Sequence, residues 1–166
     1  MQVVGDELSA LALGRCGTTD FDLLSRSAFN RYYYATYLVT RNTIGQMVND
    51  WKGTNHSGLP ILLEVTLIKK VKLYLDQQLK GELIDKGQYS RTLSDFRRVG
   101  SELAQLLKYA YHVRVLADYE PEVEISYIDR VIILQSCKIT TAKSWSQQAE
   151  RLCGRLLKLW KGIGLG

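Results

Sequence analysis

Apolar positions recur at helical steps in four stretches of the chain, and no stretch shows the strict alternation of a half-buried strand. From Thr19 to about Met47, Leu24, Ala28, Tyr32, Ala35 and Val39 follow at steps of four and three, with Phe29, Tyr33 and Tyr37 widening the same face. Thr19 offers a capping hydroxyl, with Asp22 three residues on in the usual Glu place of a capping box. After a loop holding Asn49, Asp50, Gly53, Asn55 and Gly58, a second helix is expected from about Leu59 to Leu79, with Val65, Ile68, Val71, Leu75 and Leu79 inward. The polar stretch from Lys80 to Ser90 reads as a loop with a short turn. A third helix follows from roughly Thr92 to Val113, carried by Phe96, Val99, Leu103, Leu106, Ala110 and Val113.

The last periodic stretch is the longest. Ile125, Ile128, Ile132, Ile139, Ala142, Trp145, Ala149, Leu152, Leu156 and Trp160 keep helical steps, which predicts one helix of roughly 50 Å with a bend near Thr140 and Thr141. A short helix around Glu7 to Leu13 completes the set. The fold class expected is all-α, an up-and-down bundle of four to five helices with a long C-terminal helix, forming a single domain over residues 1–166 with its core at about 19–160.

Composition sharpens this reading at three points. Only two prolines occur, where average usage would give roughly eight, and Pro60 and Pro121 both fall where a helix is expected to begin. Cys16, Cys137 and Cys153 lack the paired spacing of a zinc or redox site and read as buried, reduced thiols. No basic-then-apolar leader opens the chain and no apolar run reaches membrane-spanning length, so a cytoplasmic protein without membrane contact is expected.

The net charge of +5 is unevenly spread. Between Asp118 and Asp129 there are five acids and no base, whereas Lys138 to Lys161 sets Lys138, Lys143, Arg151, Arg155, Lys158 and Lys161 against Glu150 alone. A basic helical stretch of this kind meets phosphate or forms a solvated face, and polarity alone does not choose. His56 and His112 are far apart, and His56 has no acid at i+3 or i+4, so no metal site and no cofactor are expected. The run Gly162-Ile163-Gly164-Leu165-Gly166 has no helix after it to make a phosphate site and reads as a frayed tail.

Two local clusters remain. Asn30-Arg31-Tyr32-Tyr33-Tyr34-Ala35 sets a cation in an aromatic run, with Ser27, Arg31 and Tyr34 on one side of the helix. His112-Val113-Arg114-Val115-Leu116-Ala117-Asp118-Tyr119 brings an imidazole, a guanidinium, a carboxylate and a phenol to the end of another. The plain structural reading of the first is packed tyrosines with a paired arginine, and of the second a basic residue near a helix C-terminus.

The string Ser25-Arg26-Ser27-Ala28-Phe29-Asn30-Arg31-Tyr32-Tyr33-Tyr34-Ala35, then Asn55-His56-Ser57-Gly58, then Arg114-Val115-Leu116-Ala117-Asp118-Tyr119, resembles the HEPN superfamily. One branch of that family carries an S-R-x-Y-Y-A helix, an H-x-G loop and an R-x-x-A-D-Y turn in this order. The resemblance implies a helical bundle that dimerises, belongs to prokaryotic toxin–antitoxin or anti-phage systems, works beside a nucleotidyltransferase-like or other defence partner, and often cleaves RNA without a metal. Catalytic members use an R-x(4–6)-H motif that polarises the scissile phosphate and assists 2′-hydroxyl attack. That motif is absent here, since His112 precedes Arg114 and Asp118 follows it.

The expectation is therefore an RNA- or nucleotide-binding protein. Arg114, Asp118 and His112 are its candidate catalytic residues, and Arg31, Tyr34, Tyr119 and His56 its candidate RNA-binding residues. Two further readings stay open: a non-catalytic dimeric subunit whose polar residues are structural, and a basic helical adaptor that docks on an acidic partner through Leu156, Leu159 and Trp160. The dimer is expected from the resemblance, and also because Ile132, Ile133, Leu134, Trp145 and Trp160 are more apolar surface than one helix face can bury.

Overall fold

A computed structural model describes residues 1–165 of the chain, so Gly166 of the glycine tail lies outside the described residues. Helices carry most of it: α1 (Gln2–Leu13), α2 (Thr19–Met47), α3 (Gly58–Ile61), α4 (Leu67–Lys80), α5 (Lys86–Tyr119) and α6 (Ile139–Gly162). A 3-10 turn at Asn49–Trp51 and a π-helical turn at Leu62–Thr66 interrupt the regular elements. The chain is all-α in character with a long C-terminal helix, and it carries one small sheet. Two compact units divide it: Met1–Val39 with Leu107–Ala149, and Thr40–Leu106 with the chain from Glu150 onward.

The core of the first unit contains the aromatic face predicted for α2, with Phe29, Tyr32 and Tyr33 almost wholly buried. α1 lies so close to α2 that a Cβ on Gly5 would stand 2.7 Å from the Tyr32 ring. Its polar residues pin it there. Tyr32 donates to Asp6 Oδ1 at 2.9 Å, Lys143 pairs with the same oxygen at 3.0 Å, and Ser146 donates to Gln2 Oε1 at 2.8 Å.

Arg26 closes the end of α5. Its guanidinium donates to the carbonyls of Leu116 (3.2 Å), Ala117 (3.5 Å), Glu120 (3.2 Å), Pro121 (3.2 Å) and Val123 (2.7 Å), while Nε pairs with Asp22 Oδ2 at 2.7 Å. A helix C-terminus leaves its last carbonyls without partners, and a fork of five N–H groups suits that deficit. The Arg26 side chain is 11% exposed, so most of it faces protein rather than water.

The segment so anchored is not helical. Residues 125–138, expected as the first part of one long helix, form an antiparallel meander of β1 (Ile125–Ile128), β2 (Val131–Leu134) and β3 (Cys137–Lys138) in the order β1-β2-β3. Ile128 pairs with Val131 and Leu134 with Cys137, so each connection is a two-residue turn. Asp129 (φ 50) and Arg130 (φ 64) both take the left-handed region that a primed hairpin turn demands, and Gln135 (φ 56) does so in the second turn. Ile132 and Leu134 point into the core, and Tyr127 sets its ring edge-on to Phe21 at 5.9 Å. Helical steps at Ile125, Ile128 and Ile132 were thus coincidental. Pro121 follows a helix end rather than opening a helix, and Thr140 and Thr141 lie in the first turn of α6, so no bend is needed there.

In the second unit α5 begins earlier than the expected Thr92. Asp85 Oδ1 accepts from the Gln88 backbone N–H at 2.7 Å and Gln88 Oε1 accepts from the Asp85 N–H at 3.0 Å, a reciprocal capping box. Pro60 does open a helix, in the first turn of α3. The π turn that follows adds a residue and shifts the phase, so Leu63, Leu67, Val71 and Leu75 face inward while Val65, expected inward, is 43% exposed. Leu63 sits close under α5, and a Cβ on Gly100 would meet its carbonyl oxygen at 2.9 Å. The expected frayed tail is instead closed by Ile163 N–H to Leu159 O (3.2 Å), Gly164 N–H to Lys161 O (3.0 Å) and Leu165 N–H to Trp160 O (3.2 Å). Among the described residues no helix is long and apolar enough to cross a membrane.

Ile132, Leu134, Trp145 and Trp160, whose apolar surface suggested a dimer, are buried within the chain itself, as is Leu156. They leave neither that argument nor the proposed docking anchors Leu156 and Trp160 on the surface.

Arg26→Ala leaves several part-buried carbonyls without their donor and is expected to cost about 3 kcal/mol in urea unfolding, with Arg26→Lys restoring less than half. Amide exchange should speed first in residues 114–138; a loss below about 0.5 kcal/mol would mean that water substitutes for the guanidinium. Arg130→Gly turns the Asp129-Arg130 turn into Asp-Gly and is expected to stabilise by about 0.5 kcal/mol, because relief of left-handed strain exceeds the added entropy of the unfolded chain. A lowered unfolding midpoint would show that the Arg130 side chain contributes more than the strain costs.

Candidate functional site

Two helices of the first unit bring most of the expected residues together. Asn30, Arg31 and Tyr34 stand on α2, where steps of three and four share a face, and Arg114, Asp118 and Tyr119 occupy the last turns of α5. Because Arg26 fixes the end of α5 to α2, the two sets meet.

Asp118 is the hub. Asn30 Nδ2 donates to its two carboxylate oxygens at 2.8 and 2.7 Å, and Arg114 Nε lies 2.7 Å from Oδ2. That approach is an ion pair rather than an aligned hydrogen bond, since the Nε–H is not directed at an acceptor and Nε is left without a hydrogen-bond partner. The other end of the guanidinium donates to the Tyr119 hydroxyl at 3.2 Å and lies over the Tyr119 ring at 4.9 Å. Partial burial opposes the Arg114 charge, but the Tyr119 hydrogen bond and the Asp118 charge outweigh it and raise its pKa. Arg114 is a permanent cation, 15% exposed through its side chain and largely compensated by Asp118.

Arg31 is held differently. Its guanidinium lies 5.7 Å from the centre of the Tyr34 ring and 3.8 Å from the Met1 sulfur, and among the described residues it has no carboxylate partner. Tyr34 packs edge-on against buried Tyr33 at 5.6 Å, and Tyr33 also meets Tyr37 and Tyr111. Burial, followed by the neighbouring phenols, pushes the Tyr33 hydroxyl well above its ordinary range, so it stays protonated. The result is a bank of Tyr33, Tyr34, Tyr37 and Tyr111, the last 39% exposed, with a guanidinium over Tyr34 that has no carboxylate partner among the described residues.

The histidines stand elsewhere. His112 is exposed two residues before Arg114, and two helical steps place it roughly 200° around α5, away from Arg114 and Asp118. His56 belongs to the second unit, in the turn before α3, where Asn55 Oδ1 accepts from the Gly58 N–H at 2.8 Å. Among the described residues no group of three or more His, Cys, Asp or Glu side chains comes together to hold a metal.

Sequence reasoning missed Asn30 as a partner of Asp118 and Arg26 as the anchor. Both lie inside the motif string, but their partners are 88 to 97 residues away, so nothing local marks them. It also misjudged one thiol. Cys137 and Cys153 are buried, and burial raises the pKa of both, whereas Cys16 is exposed in the turn after α1. Cys137 sits by Tyr109, whose hydroxyl is pushed up to about 12 by burial first and by its hydrogen bond to the thiol second.

Thiolate is the reactive species, so Ellman's reagent at pH 8 is expected to titrate Cys16 promptly in the native protein and all three thiols in guanidinium. Prompt reaction of a second thiol in the native protein would contradict the burial of Cys137 or Cys153. Comparison with known proteins finds no family model, no curated protein and no solved structure that matches this chain.

Proposed function

We propose that this chain is a HEPN-like protein that binds single-stranded RNA at the Arg31–Tyr34–Arg114–Tyr119 face. The observation that carries the reading is Arg31, a guanidinium that meets only an aromatic ring and a thioether and has no carboxylate partner among the described residues. Exposed bases stack on tyrosine and arginine planes, and phosphate takes paired N–H groups from a guanidinium. On α5 the exposed rings of Tyr111, against Tyr33, and Tyr119, against Arg114, supply such planes. The order of the three motifs and the helical fold support the same reading, and with it a role as a homodimer in a prokaryotic toxin–antitoxin or anti-phage system, beside a nucleotidyltransferase-like partner.

Binding is the activity these residues favour over cleavage. A ribonuclease of this type needs a proton carrier beside its arginine, and His112 lies on another side of α5. A second reading has its own observation: Asn30, Arg114, Asp118 and Tyr119 bond or pair with one another, as in a network that only ties α2 to α5. In that case the protein is a non-catalytic interaction subunit.

The two readings separate at Arg31, which takes no part in that network. Arg31→Ala is expected to weaken binding of a single-stranded RNA oligomer by on the order of 2 kcal/mol with unfolding unchanged, and Arg31→Lys to recover part of it. Arg114→Ala should lose affinity and stability together, because it leaves Asp118 without its cation. His56→Ala and His112→Ala should bind as wild type does. Affinity should fall steeply with salt, as phosphate contacts require, and any cleavage should survive chelator. Salt-independent binding, no binding, or an Arg31 variant that binds normally leaves the network reading in its place.

A further inference from the structure

The second unit holds a cleft of about 470 Å³ between α5 and the end of α6, lined in part by the basic C-terminal stretch and apart from the Arg31 and Arg114 clusters. Its floor is apolar, from Val99, Leu159 and Ile163, and its rim is cationic, with Arg98 on α5 facing Arg155 and Lys158 on α6. A second hollow of about 300 Å³ shares Thr92, Gly162 and Ile163 with it and is lined further by Tyr74, Gln78 and Ile84. We propose that the two hollows, which share three lining residues, together bind a small organic monophosphate, the phosphate between Arg98, Arg155 and Lys158 and a flat body in the second hollow against Tyr74 and Ile84.

Charge and shape both favour that ligand. The acids among these cations are Asp95, 2.8 Å from Arg98, and Glu102, 3.6 Å from Arg155. Both pairs are open to water, with the arginine side chains 58% and 45% exposed, so each guanidinium can turn from its carboxylate to a doubly charged phosphate at little cost. Lys158 has no carboxylate partner among the described residues. The carbonyl end of α6 would repel an anion if bare, but the carbonyls of Leu159, Trp160 and Lys161 are taken up by the closing turn. Gly164 holds that turn with φ +83, and a Cβ there would stand 3.0 Å from the Tyr74 hydroxyl, so the turn borders the hollow that Tyr74 lines. Hollows of this combined size, with an apolar floor and a few convergent charges, are a usual form of a small-molecule site.

Titration calorimetry with inorganic phosphate, phenyl phosphate and adenosine 5′-monophosphate on the full chain tests the proposal. Phenyl phosphate or the nucleotide should bind saturably and at least tenfold more tightly than inorganic phosphate. Arg98→Gln with Arg155→Gln should weaken all three at least tenfold; both side chains are largely exposed, and circular dichroism confirms that the variant folds. Ile84→Trp, which fills the hollow, should abolish the preference for the organic phosphates while inorganic phosphate still binds. Arg31→Ala should change nothing here, which separates this cleft from the RNA face. No saturable binding at millimolar concentration, equal binding of all three ligands, or unchanged binding by the double variant would overturn it.

Discussion

The guanidinium of Arg26 is the contact on which the first unit depends. It carries the carbonyls that α5 leaves open at its end, holds the chain from Glu120 to Val123 as it leaves the helix, and is itself steadied by Asp22 one turn back on α2. Without a donor there the last turn of α5 would fray into water, and Arg114, Asp118 and Tyr119 would have no fixed position. The candidate site is therefore built on a cap. Its geometry follows from a side chain that takes no part in its chemistry, and the meander begins where that cap ends.

The cluster itself divides into a closed part and an open part. Asp118 absorbs Asn30 and Arg114, which makes the end of α5 rigid and nearly neutral. Arg31 stands beside it with a ring and a sulfur for company, neither of which cancels a charge. A polyanion gains most from the uncompensated cation, and the rigid part then serves as the surface against which bases lie.

What could be read from the chain was what repeats locally. α2 was legible to both ends because apolar residues keep a helical step throughout it, and the pair Arg31–Tyr34 was legible because its members are one turn apart, whereas Arg114–Asp118 fell beyond the helix end expected at Val113, which the structure carries on to Tyr119. The start of α5 was marked by Asp85 and Gln88 at capping-box spacing, a signal present but overlooked in a polar stretch. The meander was hidden for physical reasons: Val131 to Leu134 is apolar at every position, so its period of two does not show, and its turns use Asp129, Arg130 and Gln135 where glycine would announce a hairpin. Asn30, Arg26 and the cleft depend on residues far apart in sequence, and periodicity carries no information about those.

The π-helical turn and Gly100 are two halves of one feature. The extra residue at Leu62–Thr66 changes which side chains face inward, and the Leu63 carbonyl oxygen in that turn would stand only 2.9 Å from a Cβ at position 100. A descendant that lost one residue from the turn would regain an even helix and, with the carbonyl withdrawn, tolerate alanine opposite it. One that gained a side chain at position 100 first would have to straighten the turn to keep it. Insertion and glycine should therefore come and go together in evolution, a linked pair separated by more than thirty positions in the chain and joined by a single oxygen atom.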